Sequence, residues 1–336
     1  MSALEKDPIE RVLNEHERRF CAENKIDHDM ALGKQFDDSP IKRTDPFWIE
    51  GRFTDGPIIK QIDALVIVDK ARFANAIIKL ANAYNLAIRY QVSAIYHPGF
   101  DFLADDFQVG DLKITAGLPS SKNILKSGFF YNKSLYGLSP PTLSKYRIIR
   151  VFASHLKLAL PGKQPTQNNE LFVHIRSGDI FKENPPHYLY GQPPLSFYKK
   201  IIKLEKWNRI NLVYEDDLNP VIKRLIEFVR SVNIPLRIHS GSLIEDVEVL
   251  CRAKNLIIGR GHFIYPVLCL SKNIERVFCF EADLRNHWQM DQADIRFLTV
   301  IDKLGRYKND VLTYWRNSVE QRNLMLTYSE DNLFFE

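Results

Sequence analysis

An arginine at position 176 stands between a histidine and an aspartate where an apolar run ends: Leu171-Phe172-Val173-His174-Ile175-Arg176-Ser177-Gly178-Asp179. A planar, permanently charged guanidinium meets two oxygens of a phosphate or carboxylate at once, so an Arg fixed just past a strand is suited to holding an anion. Gly178 lets the backbone take a positive φ or come close to a ligand, and Asp179 can hold the Arg or the loop. The plainer alternative is an ordinary strand end carrying a solvated Arg–Asp pair.

Two further segments have comparable chemistry. Arg72-Phe73-Ala74-Asn75 follows an apolar run and opens a helix-period stretch, where free backbone N–H groups and the helix dipole favour an anion. Its alternative is that Arg72 and Asn75 only solvate a first helical turn. Further on, Ser240-Gly241-Ser242-Leu243-Ile244-Glu245-Asp246 reads as a polar loop opening a helix, and Gly259-Arg260-Gly261-His262-Phe263 as a glycine-bearing loop between a strand and a helix. Backbone amides of the second loop can contact phosphates. His262 can add a donor, or a charge when protonated. Asp246 can accept from a nucleotide's base or ribose, or simply complement the helix dipole. Glu215-Asp216-Asp217, after another apolar run, is a carboxylate group of the kind that holds a divalent ion on a diphosphate, or else the cap of the next helix. Asp27-His28-Asp29 reads as solvated surface, and no G-x-S-x-G elbow, Walker A loop or full G-x-G-x-x-G occurs.

Positioning these residues requires alternating strands and helices, and the periodicity supplies them. Strands are expected at 62–69, 86–90, 92–96, 171–175, 210–214, 236–239, 255–258 and 277–281, and helices at 73–84, 146–160, 197–206, 220–232, 243–253 and 262–271. Residues 101–110 and 117–127 read as loops, and the tail from 308 as a helix. Strands separated by helices imply right-handed crossovers and a parallel α/β sheet, with ligands outside the carboxyl ends of its strands. The division expected is an amphipathic, charged extension (1–55), a first α/β domain (56–165), a second (166–290) and a helical segment (291–336), with the Pro161 to Asn169 stretch as boundary.

The chain has 336 residues, enough for two cores, with 45% hydrophobic and 26% charged residues. A net charge of +5 suits an anionic ligand or a peripheral contact with an anionic membrane, and is too mild to argue for nucleic acid. The four cysteines show no paired spacing and read as buried free thiols. With no leader pattern and no apolar run long enough to span a bilayer, the sequence reads as that of a cytoplasmic protein.

His174-x-Arg176-x-Gly178-Asp179 resembles the H-x-R-x-G-D motif of the fucosyltransferase superfamily, which includes α1,2- and α1,6-fucosyltransferases and protein O-fucosyltransferases. Arg72-Phe73-Ala74-Asn75 resembles the R-F-G-N loop of the last group, with Ala74 in place of Gly. Asp246 and Phe263 match a helix-start Asp and the S-x-S-T-F that follows a strand, where Gly261 and His262 replace hydroxyl residues. The resemblance runs from about 62 to 281. It implies a GT-B-like α/β fold of two facing Rossmann-like domains with mostly parallel sheets, the first on the acceptor side and the second on the donor side. It implies an inverting, metal-independent transfer of fucose from GDP-fucose to a glycan acceptor, with no cofactor. Arg176 and Asp179 are then the catalytic candidates. His174, Arg176, Gly178, Asp246, Gly261, His262, Phe263, Arg72 and Asn75 are the donor-binding candidates. Asp179, Glu183 and Asp69 are candidates for the base. The competing readings are a metal-dependent GT-A-type enzyme using Glu215 and Asp217, and a non-catalytic glycan- or nucleotide-binding module. Tyr188, Tyr190 and Tyr198 around Gly191-Gln192-Pro193-Pro194 could wall an acceptor sugar or simply pack.

Overall fold

The computed structural model describes residues 63–68, 70–120, 124–127, 144–163, 169–182, 188–281 and 294–336. The 1–55 extension, including Asp27-His28-Asp29 and Cys21, lies outside them, as do Asp69 and Glu183. The chain divides into two units, Met1–Lys157 and Leu158–Glu336.

The first unit carries a five-stranded sheet. Its strands are β1 (Ala64–Ile67), β2 (Ala94–His97), β3 (Asp106–Val109), β4 (Leu112–Ala116) and β5 (Ile124–Ser127), in the order β3-β4-β2-β1-β5. All neighbours are parallel except β3, which runs antiparallel to β4 at the edge. Helix α1 (Phe73–Tyr90) and helix α2 (Lys145–Phe152) pack together through the edge-to-face pair Tyr84–Phe152, with ring centroids 5.2 Å apart. Three expectations are corrected here. Residues 86–90 continue α1 rather than forming a strand, because Leu86 and Ala87 stay on its buried side. Residues 101–110 and 117–127 were expected as loops, yet they supply β3 and β5. The first is a half-exposed hairpin strand, whose alternation of exposed and half-buried residues is too polar to resemble a core strand.

The second unit carries the clearer doubly wound pattern. Its elements are β6 (Glu170–Ile175), α3 (Asp179–Lys182), α4 (Leu195–Ile202), β7 (Arg209–Tyr214), α5 (Pro220–Ser231), β8 (Leu236–His239), α6 (Leu243–Leu250), β9 (Asn255–Ile257), α7 (Ile264–Leu270) and β10 (Arg276–Phe280). After these come β11 (Arg296–Asp302), a π-helical turn at Lys308–Leu312, α8 (Val319–Thr327) and β12 (Leu333–Phe335). Residues 291–336, expected as helical, therefore also add two strands to the sheet. The sheet order is β12-β11-β10-β9-β6-β7-β8, parallel throughout except for β12. The unit's first strand, β6, is central. The next two strands extend the sheet to one side and the following ones to the other, which is the Rossmann order. Residues 171–175 of β6 are buried, as a parallel strand covered on both faces must be. Leu171, Val173 and Ile175 enter a core with Phe197, Tyr198, Phe280, Tyr307 and Trp315. Among the described residues, no helix is long and apolar enough to cross a membrane.

Candidate functional site

The strand order has a switch point between β6 and β9, where successive connections leave in opposite directions. In open α/β sheets, ligands bind outside the carboxyl ends of the strands at such a point. The loop after β6 carries Arg176, and the loop after β9 carries residues 259–263, so the two segments singled out in the sequence meet there.

Arg176 is held tightly for a charged side chain. One terminal guanidinium nitrogen, NH2, donates to Asp179 Oδ1 at 3.1 Å, with only 17% and 18% of the two side chains exposed. The guanidinium carbon lies 4.8 Å from the centre of the Tyr190 ring, within cation–π reach. A Cβ on Gly261 would lie 2.9 Å from the other terminal nitrogen, NH1, and Gly261 has φ +139, so both the close approach and the backbone conformation call for glycine. Arg176 Nε and His174 Nδ1 are buried without a hydrogen-bond partner among the described residues. His174 stacks obliquely on Phe263 with centroids 5.1 Å apart. Burial, followed by the charge of Arg176, pushes the His174 imidazole down to about 3, so it stays neutral at ordinary pH.

The loop that presents Arg176 is built from behind. Ser177 Oγ and the Gly178 N–H both donate to Asp216 Oδ1, which also receives the Leu218 N–H, and Lys182 pairs with Oδ2 at 3.1 Å. Burial pushes the Asp216 carboxyl up, but these donors outweigh it and hold the carboxyl below its usual range. Asn219, almost fully buried, caps α5 by accepting from the Val221 N–H, donates to the Arg176 carbonyl at 2.9 Å, and gives its own N–H to Ser177 Oγ. Gly178 has φ +74 and backs onto the Glu215 carboxylate, where a Cβ would collide. Of the acidic run 215–217, Asp216 is thus committed to shaping the loop. Among the described residues, no group of three His, Cys, Asp or Glu side chains is placed to hold a metal ion.

The remaining candidates occupy the starts of three helices. Asp246 sits in the first turn of α6, which opens with a Ser242–Glu245 capping box, and its Oδ1 accepts from the Gly241 N–H at 3.3 Å. Burial pushes its carboxyl up. The Gly241 N–H opposes this only in part, and the charges of Glu245 and Glu215 add to the rise. His262 and Phe263 are half-buried beside α7, with the His262 and Tyr265 rings 6.2 Å apart. Arg72 and Asn75 belong to the first unit. Arg72 is the exposed cap residue of α1, Asn75 lies in its first turn, and Ala74 is buried within the helix. Of the suggested tyrosine wall, Tyr188 and Tyr198 are buried packing residues, and Tyr190 alone lies against Arg176.

The supporting roles of three residues escaped the sequence reading: Asp216, read there as a metal ligand or helix cap, Asn219, and Gln192, read there only as part of a loop beside tyrosines. The Asn219-Pro220 pair carried a legible helix-start signal. The other two act on segments about 40 and 70 residues away in sequence, which no local pattern reports.

No protein-family model matches the chain, and no curated protein sequence matches it. Among solved structures the chain is similar to POFUT1, seen in a crystal structure in complex with GDP-fucose, at 11% identity and a TM-score of 0.30, over 75% of this chain and 82% of that one. A TM-score of 0.30 supports no inference from that protein to this one.

Proposed function

We propose that this protein is an inverting glycosyltransferase that transfers a sugar, fucose being the first candidate, from a GDP-sugar to a hydroxyl of a glycan. The carrying observation is Arg176 at the switch point, with its Nε and the neighbouring His174 Nδ1 buried and unpartnered. A buried donor left without a partner costs about 1–3 kcal/mol, a penalty that a bound phosphate oxygen removes. When the nucleoside diphosphate departs, negative charge grows on its β-phosphate. A preorganised guanidinium at that place stabilises the transition state more than the ground state. Asp179 orients Arg176 through their ion pair, and with its carboxylate so engaged it serves the reaction as a positioning group rather than as the base. Gly178 shapes the loop that carries them. The backbone of Gly261, His262 and Phe263 lines the diphosphate, Asp246 takes the base or ribose, and Arg72 and Asn75 act from the first unit. With the positive charge supplied by Arg176, the reaction needs no metal or cofactor.

The test is sugar-nucleotide turnover by wild type, Arg176→Ala and Arg176→Lys, with and without excess EDTA. The alanine variant is expected to lose about 100-fold or more, and lysine to restore little because an ammonium lacks the planar fork. EDTA should leave the rate unchanged. Near-wild-type rates in both variants would overturn the assignment. Loss in EDTA restored by Mn²⁺ would support the metal-dependent reading with Glu215 and Asp217. Tight nucleotide binding without transfer would support the binding-module reading.

A further inference from the structure

Gln192 is fully buried on the loop that leads into α4, and every polar atom of its amide is used. Its Nε2 donates to the carbonyls of Tyr190 at 2.9 Å and Arg260 at 3.1 Å, while its Oε1 accepts the Arg260 N–H at 3.1 Å. The amide therefore pairs with both the N–H and the carbonyl of one residue, Arg260, as a neighbouring strand would, just beyond the end of β9. Its own carbonyl accepts from the Tyr307 hydroxyl at 2.6 Å. The gripped residue lies between Gly259 and Gly261, neither of which has a side chain that could fix the loop. A Cβ on Gly259 would lie 3.0 Å from Gln192 Oε1, and one on Gly261 would lie 2.9 Å from Arg176 NH1. The same amide holds the backbone of Tyr190, whose ring lies on the Arg176 guanidinium.

We propose that Gln192 is a positioning residue for the candidate donor site, fixing the 259–261 loop and the Tyr190 ring against Arg176 so that guanidinium and loop amides converge on one diphosphate. The proposal rests on the donor-site reading above. If Gln192 only stabilised the fold, its replacement would lower the melting temperature and leave anion affinity alone.

Gln192→Glu together with the uncharged Tyr307→Phe separates the two roles. The ionised carboxylate of the glutamate variant can still accept the Arg260 N–H. It cannot donate to either carbonyl, and it adds a negative charge beside the anion. Acidification neutralises it and restores one donor. Calorimetric titration with inorganic pyrophosphate should show Gln192→Glu about 10-fold or more weaker than wild type at pH 8, with the gap narrowing at pH 5. Wild type at each pH controls for the titration of pyrophosphate itself. Tyr307→Phe removes only the hydroxyl that holds the Gln192 carbonyl, and should weaken binding by a few-fold with a gap that does not change with pH. It carries the test alone if the glutamate variant does not fold. Wild-type affinity for pyrophosphate in these variants overturns the role of Gln192 and leaves the donor site standing. Failure of the wild type itself to bind pyrophosphate or GDP overturns the donor site and this role together.

Discussion

The neutrality of His174 has a measurable consequence for stability. Its imidazole ordinarily titrates at 6.5, and burial with the nearby Arg176 charge takes it down to about 3 in the native state. Above pH 6.5 neither native nor unfolded chain holds the extra proton, and stability from this group is fully present. Between 6.5 and 3 the unfolded chain binds a proton that the native site refuses, so stability falls as pH falls, by at most about 1.4 kcal/mol per pH unit. His97 and His239 are also held low, chiefly by burial, and push the same way. Urea midpoints of wild type and His174→Gln across this window isolate the one group: the variant should lose stability less steeply on acidification, and equal slopes would show that His174 does not carry the effect. A second residue-scale prediction concerns Asp246. A carboxylate accepts two N–H donors from guanine and one from uracil, so GDP should raise the melting temperature more than UDP, and Asp246→Asn should erase most of that difference. Saturation at 100 times the dissociation constant is worth about 2.7 kcal/mol, a readable shift. Equal shifts with both nucleotides would assign Asp246 to the ribose.

At the scale of elements, the loop between β6 and α3 is the piece that depends on a glycine. Gly178 combines a positive φ with a backbone pressed on Glu215. Gly178→Ala should destabilise the protein by about 1–3 kcal/mol and weaken pyrophosphate binding, because the Arg176 carbonyl, Ser177 and Gly178 are all tied to the α5 cap and Asp216. Adding Glu215→Ala removes the collision but not the backbone conformation, so denaturation should show only partial recovery; full recovery would mean that the contact alone matters. How legible each element was follows from the same physics. Buried parallel strands such as β6 and β7 are apolar runs set between helices and could be read directly. The edge strand β3, half exposed and polar, could not be told from a loop. Strand β11 follows no helix-spaced signal and is half-buried along most of its length, so it stayed hidden until its pairing with β10 was seen. Within the site, the H-x-R-x-G-D residues and the 259–263 loop were visible as local motifs. The Gln192 clamp and the Asp216 anchor exist only because the sheet order brings distant segments together.

At the scale of the whole molecule, the division of labour is written in where the contacts close. Among the described residues, Asp179, Tyr190, Gln192 and Asn219, which hold Arg176 or the 259–261 loop, belong to Leu158–Glu336, as does Tyr307, which holds Gln192. The described core of that unit is made of its own residues, with Trp315 donating from Nε1 to the Ile180 carbonyl and so bracing α3. A unit of this size buries enough apolar surface to fold as a domain. The fragment 158–336 should therefore unfold cooperatively and bind pyrophosphate within a few-fold of the full chain, since the anion-holding groups and their supports are all present. It should transfer no sugar, because the residues proposed to act from the first unit, Arg72 and Asn75, are missing. Calorimetry on the fragment, paired with a turnover assay, checks both halves. A folded fragment that binds no pyrophosphate would mean that Arg176 needs the first unit to complete its site, and a fragment that still transferred sugar would remove Arg72 and Asn75 from the reaction.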